Sequence, residues 1–148
     1  YSAPPRGLRA ALGLLYMMGS APLVQHRQAP TRAAADSVIT AYLDARMKAT
    51  DPNDMLYQFD ASRDYDPSSL LERVTVPVLH INSADDLVNP PELGLMEQLI
   101  PRVKSAKYIL LPITDRTRGH GTHTIPAIWG DSLRRFMATL PPPPGGGR

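Results

Sequence analysis

The sequence predicts an α/β fold in which a helical first half precedes one edge of a larger, mostly parallel sheet. Three observations carry that expectation. Residues 6–18, 31–49 and 53–61 place apolar side chains at helical spacing. VPVLHIN (76–82) and AKYILLPI (106–113) are short runs of apolar and β-branched residues, the texture of strands covered on both faces. A helical pattern follows each run, giving the alternation of a parallel sheet. Two strands cannot close such a sheet alone, so the second half reads as its edge.

In chain order, the apolar run Leu8–Met18 reads as a core or lid helix. Arg9 interrupts it, and it is far shorter than the roughly 20 residues that span a bilayer. No membrane association is expected, and the absent initiator Met hints that sequence upstream is missing. Residues 31–49 and 53–61 follow as helices, the second with Asn53 as its N-cap. SRDYDPSS is a polar turn region in which Asp64 and Asp66 cap and turn the chain. After the first strand, PPELGLMEQLI has prolines where a helix starts and Leu93, Met96, Leu99 and Ile100 on one stripe. After the second strand and a histidine-bearing loop, residues 125–140 carry Ile125, Ile128, Leu133, Phe136, Met137 and Leu140 at helical spacing. No internal repeat is present. The expected organisation is a helical lid over 1–70, a core segment over 71–140, and a flexible Pro/Gly tail over 141–148.

Composition narrows the function classes. The 148 residues are 43% hydrophobic and 20% charged, enough for a core and too apolar for wholesale disorder. Net charge is +2, with Arg and Asp interspersed and no basic run interleaved with aromatics, so nucleic acid is not an expected partner. With no cysteine there is no disulfide, thiolate metal site or cysteine nucleophile. The cytoplasm is the expected compartment.

In open α/β sheets ligands bind beyond the carboxyl ends of strands. Two loops qualify. NSADDLVNPPE follows the first strand and offers a carboxylate, Asp85 or Asp86; ITDRTRGHGTHT follows the second and offers an imidazole, His120 or His123. Neighbouring parallel strands would bring the loops together, as an orienting acid and a general base. Acid before base is also the order that follows the nucleophile in Ser…Asp…His triads. His120 and His123 form an H-x-x-H pair, but a metal site needs at least three ligands and no third is evident. His80 reads as a packed strand residue, His26 as a lone surface residue, and Trp129 and the methionines as core.

The stretch from Asp60 to Thr124, DASRDYDPSSLLERVTVPVLHINSADDLVNPPELGLMEQLIPRVKSAKYILLPITDRTRGHGTHT, resembles the C-terminal portion of the homoserine O-acetyltransferase-like family of α/β-hydrolases. The resemblance covers roughly residues 6–140, and the helical first half is similar to that family's lid insertion. It implies the C-terminal part of an α/β-hydrolase fold: lid helices, then the last strands and helices of the sheet. A D-x-x-x-P loop in that family carries the triad Asp, which falls on Asp86 with Pro90 closing the motif. The family's catalytic His follows a Gly after the next strand, which falls on His120. The implied activity is acyl transfer or ester hydrolysis through a Ser-His-Asp triad. Acetyl-CoA would be an acyl-donor substrate, no bound cofactor is implied, and homodimerisation is compatible.

Two departures stand out. The nucleophile is missing: GDSLR (Gly130–Arg134) approaches an elbow motif, but Ser132 lies within a helical pattern after the His, with no strand before it. The Ser is therefore expected from the N-terminal half of the fold, in cis or in trans. Gly121 also stands where the homoserine acetyltransferases carry an Asp, so the resemblance does not extend to the acceptor site. The competing expectation is a truncated remnant or interaction module without enzymatic activity.

Overall fold

The computed structural model describes residues 5–142; most of the expected tail, 143–148, lies outside them. Helix α1 (Pro5–Met18) turns Leu8 and Leu12, four residues apart, into the interior. A turn at Gly19 then leads into α2 (Pro22–Gln28), which starts on a proline and buries Val24. The apolar pattern gave no element here, because seven residues are too few to show a helical period. The two helices meet at 100°, and no single helix among the described residues is long and apolar enough to cross a membrane.

Helix α3 (Arg32–Ala49) lies against α1, with the Tyr16 and Tyr42 ring centroids 4.8 Å apart and Arg9 bonded to Asp44 at 3.0 Å. The Thr31 hydroxyl caps it by accepting from the Ala34 N–H. Helix α4 (Pro52–Asp60) begins one residue earlier than expected because Asp51, not Asn53, is its cap. The Asp51 carboxylate accepts the N–H groups of Asn53 and Asp54, and Pro52 fills the first helical position. Asp66 takes its expected turning role, accepting the Ser68 N–H at 2.9 Å where a 3₁₀ turn begins.

Strands β1 (Val78–Ser83) and β2 (Ala106–Leu111) pair in parallel, in register from Val78 opposite Ala106 to Ser83 opposite Leu111. Each is shorter than its apolar run, for one reason. Pro77 and Pro112 lack the N–H a ladder needs, and they bound the pairing at its start and end. The connection departs more from expectation. Instead of one helix over PPELGLMEQLI there is a 3₁₀ turn at Pro91–Leu93, a left-handed Gly94, a short α5 (Leu95–Leu99) and a second 3₁₀ turn at Ile100–Arg102. Leu93 falls outside the helical turn and is exposed, so the expected stripe is not made. Helix α6 (Pro126–Met137) packs on β1 and ends three residues short of its pattern.

The enclosed apolar residues are few: Leu8, Leu12, Ala21, Val24 and Val103. Strand β1 is half-buried except at Ser83, since among the described residues the sheet has two strands and β1 has one free edge. His80 is accordingly half-buried beside the Tyr108 ring rather than packed in a core. The methionines also depart from expectation: none is buried, and Met17 and Met137 are largely exposed.

Candidate active site

The carboxyl ends of β1 and β2 deliver two loops to one place. Beyond β1 the chain turns at Ser83, whose carbonyl accepts the Asp86 N–H at 3.1 Å. The Asp86 side chain then organises its own loop: Oδ1 accepts the N–H groups of Val88 at 2.8 Å and Asn89 at 3.0 Å. The Asn82 amide ties that loop back to the strand by donating to the Asn89 carbonyl. Asp86 is 5% exposed, with both oxygens committed.

Beyond β2, Thr117 knots the chain. Its buried hydroxyl donates to the Thr114 carbonyl and accepts the Thr114 N–H, both at 3.0 Å. Gly119 follows with φ +58°, a left-handed conformation that glycine adopts without cost. Space there is as restrictive as the torsion. A Cβ would lie 2.6 Å from the Ser20 carbonyl oxygen and 3.1 Å from that of Asp85. Glycine thus lets the base-bearing loop press against both the α1–α2 turn and the acid-bearing loop. The next residue, His120, points Nδ1 at Asp86 Oδ2, 3.1 Å away.

Of the candidates, Asp86 and His120 are the acid and imidazole brought into contact. Asp85 instead accepts the Ser83 hydroxyl. His123 donates through Nδ1 to the His120 carbonyl, and its ring lies 4.9 Å from that of His120. The Trp129 indole donates to the His123 carbonyl at 3.1 Å, so this tryptophan braces the loop rather than filling a core. A cavity of about 370 Å³ opens over the pair, walled by Ser83, Asp86, His120, His123, Trp129 and Leu133 among others. Ser132 sits within α6, where its hydroxyl accepts from Arg135 at 3.2 Å. Among the described residues no group of three or more His, Asp or Glu is arranged to hold a metal ion.

The electrostatics suit an acid–imidazole pair. Burial alone would raise the Asp86 pKa, but the Asn89 N–H, the His120 ring and the Val88 N–H outweigh it and hold the carboxyl below its ordinary value. Asp86 is therefore an anion at neutral pH. It can accept the His120 Nδ1–H, leaving Nε2 with the free lone pair of a general base. Sequence reasoning missed the residues that support the pair, namely Asn89, Thr117, Ser83, Thr122 and the Ser20 carbonyl. No motif marks them, because they act through hydrogen bonds and close approaches that exist only once the two loops are brought together.

No protein-family model matches the chain, and no curated protein sequence does. Among solved structures it is similar to MGS-M2, an alpha/beta hydrolase enzyme from a Medee basin deep-sea metagenome library, at a TM-score of 0.63 and 15% identity. That likeness covers 93% of this chain and 49% of the other, so the chain spans about half the length of that enzyme. It shows the fold alone: these residues form the C-terminal part of an α/β-hydrolase fold.

Proposed function

We propose that this chain supplies the acid and the base of a Ser-His-Asp triad for acyl transfer or ester hydrolysis, with the Ser nucleophile and oxyanion donors lying outside these residues. The observation that carries the reading is the contact between the buried Asp86 carboxylate and His120 Nδ1 at the mouth of a cavity. In that role His120 Nε2 takes the proton of the Ser hydroxyl as its oxygen attacks the acyl carbonyl. Asp86 fixes the tautomer and stabilises the imidazolium. The same proton then passes to the leaving group, an alcohol or the thiol of an acyl-CoA. A second cycle, with water or an acceptor hydroxyl, clears the acyl-enzyme.

Within that class we favour an acetyltransferase related to the homoserine family, with acetyl-CoA as donor. Its support is the D-x-x-x-P loop ending at Pro90 and the Gly119-His120 pair. Gly121 offers no carboxylate to a substrate amine, so the acceptor is proposed to be a hydroxyl compound other than homoserine. A non-enzymatic reading rests on a different observation, the free edge of β1 and the exposed apolar side chains such as Leu56, Phe59 and Val76. On that reading the chain is an interaction module.

Acetyl transfer by the polypeptide that carries this sequence in its source cells separates the two. Turnover of an activated acetyl ester or acetyl-CoA that His120→Ala abolishes supports the enzyme. A polypeptide that binds a partner and turns over neither substrate contradicts it.

A further inference from the structure

Two buried hydroxyls beside the acid–imidazole pair play no part in the chemistry above. Ser83, the last residue of β1, and Thr122, two residues beyond His120, are each 3% exposed. They lie on opposite loops and meet, with Thr122 Oγ1 3.4 Å from Ser83 Oγ. Their bonds run in one direction. The Arg118 N–H donates to Thr122 Oγ1 at 2.9 Å, Thr122 donates to Ser83, and Ser83 donates to the Asp85 carboxylate. Buried hydroxyls without partners are costly, and a chain of donors ending on an anion is stronger than its isolated members.

The placement of this chain of bonds is specific. Thr122 closes a short loop around His120, from the Arg118 N–H on one side to its own N–H, bonded to the Gly119 carbonyl at 3.0 Å, on the other. Ser83 does the same for the acid, since its carbonyl receives the Asp86 N–H while its hydroxyl holds Asp85. The adjacent pair Asp85–Asp86 thus divides its work, one carboxylate meeting the imidazole and the other anchoring the hydroxyls.

We propose that Thr122 and Ser83 form a clasp between the two loops, anchored on Asp85, that positions His120 against Asp86. Both are positioning residues, and the proposal rests on the Asp86–His120 reading above. A pair held at two points resists the ring rotation that a single bond 3.1 Å long would allow.

The test is the Nδ1 proton of His120, followed by NMR with ¹⁵N-labelled histidine in the polypeptide that carries this sequence in its source cells. In the natural sequence that proton gives a resonance which Asp86→Asn abolishes. Thr122→Val keeps the side-chain shape and removes the hydroxyl; Ser83→Ala removes the hydroxyl that receives from Thr122 and donates to Asp85, and leaves the Thr122–Arg118 bond. Each should speed exchange of that proton with water by about tenfold, the equivalent of one hydrogen bond, without changing amide exchange in β1 and β2. Thr122→Ser should stay within about twofold of the natural rate, because it keeps the hydroxyl. If Thr122→Val disturbs amides far from the site, Ser83→Ala decides. Exchange at the natural rate in Ser83→Ala overturns the clasp while leaving the acid–imidazole pair intact. A natural-sequence resonance that Asp86→Asn does not move overturns the pair itself.

Discussion

Alanine at Gly119 is the perturbation whose cost the structure specifies best. Two penalties act at once. A side chain at φ +58° carries about 1–2 kcal/mol of backbone strain. The new methyl would also sit 2.6 Å from the Ser20 carbonyl oxygen and 2.9 Å from its carbon. Backbone must then move, which by analogy with overpacked interiors costs about 1–3 kcal/mol. Gly119→Ala should therefore lose roughly 2–5 kcal/mol. Gly94 supplies the internal control: its φ of +63° is as strained, but a Cβ would meet nothing closer than the Gln98 side chain at 3.7 Å. Gly94→Ala should lose only the strain, about 1–2 kcal/mol. Urea unfolding of the two variants beside the natural sequence measures the difference, and with slopes of about 1–3 kcal/mol/M the Gly119 midpoint should fall by about 0.7 M or more. Equal losses at Gly119 and Gly94 would refute the close approach of the histidine loop to the α1–α2 turn.

Other consequences are equally measurable. The Asp86 pKa is lowered by folding, so its stabilisation is complete above pH 3.8 and is lost as the pH falls from there through the folded value; Asp86→Asn should flatten that acid limb in pH-dependent unfolding. Burial lowers the His80 pKa, so its neutral form is favoured and stability falls as the pH drops below 6.5 toward the folded value; His80→Gln should remove that component. In a polypeptide with acyl-transfer activity, Asp86→Asn should leave the loop bonds to Oδ1 in place, reverse the histidine tautomer and lower kcat by about 10⁴, as the same change does in serine-protease triads. Ser132→Ala should leave that activity unchanged, because the serine lies within α6 and bonds Arg135.

The sequence disclosed the alternation of elements and the two loops that carry the candidate site, because both follow from local signals. Apolar texture marks β1 and β2, and the D-x-x-x-P and Gly-His pairs lie where strands end. What it concealed is non-local or rests on single residues. Strand limits followed Pro77 and Pro112 rather than the apolar runs, and Asp51 took the cap of α4 through Pro52. The expected helix after β1 broke at Gly94, whose left-handed torsion outweighs a stripe of four apolar residues. His80 and the methionines read as core because their types favour burial, yet a two-stranded edge encloses little. Residue type left Asp85 and Asp86 both open; the D-x-x-x-P resemblance pointed to Asp86, and its contact with His120, 34 residues away, is visible only in the folded chain.

The central claim is that Asp86 and His120 serve a serine that these residues do not contain. Fluorophosphonate labelling of the polypeptide carrying this sequence in its source cells, followed by peptide mapping of the label, tests it directly. The account predicts a label on one serine outside these 148 residues, with labelling slowed by about 10³-fold or more in His120→Ala. A label on Ser132, or one whose rate ignores His120, would contradict it.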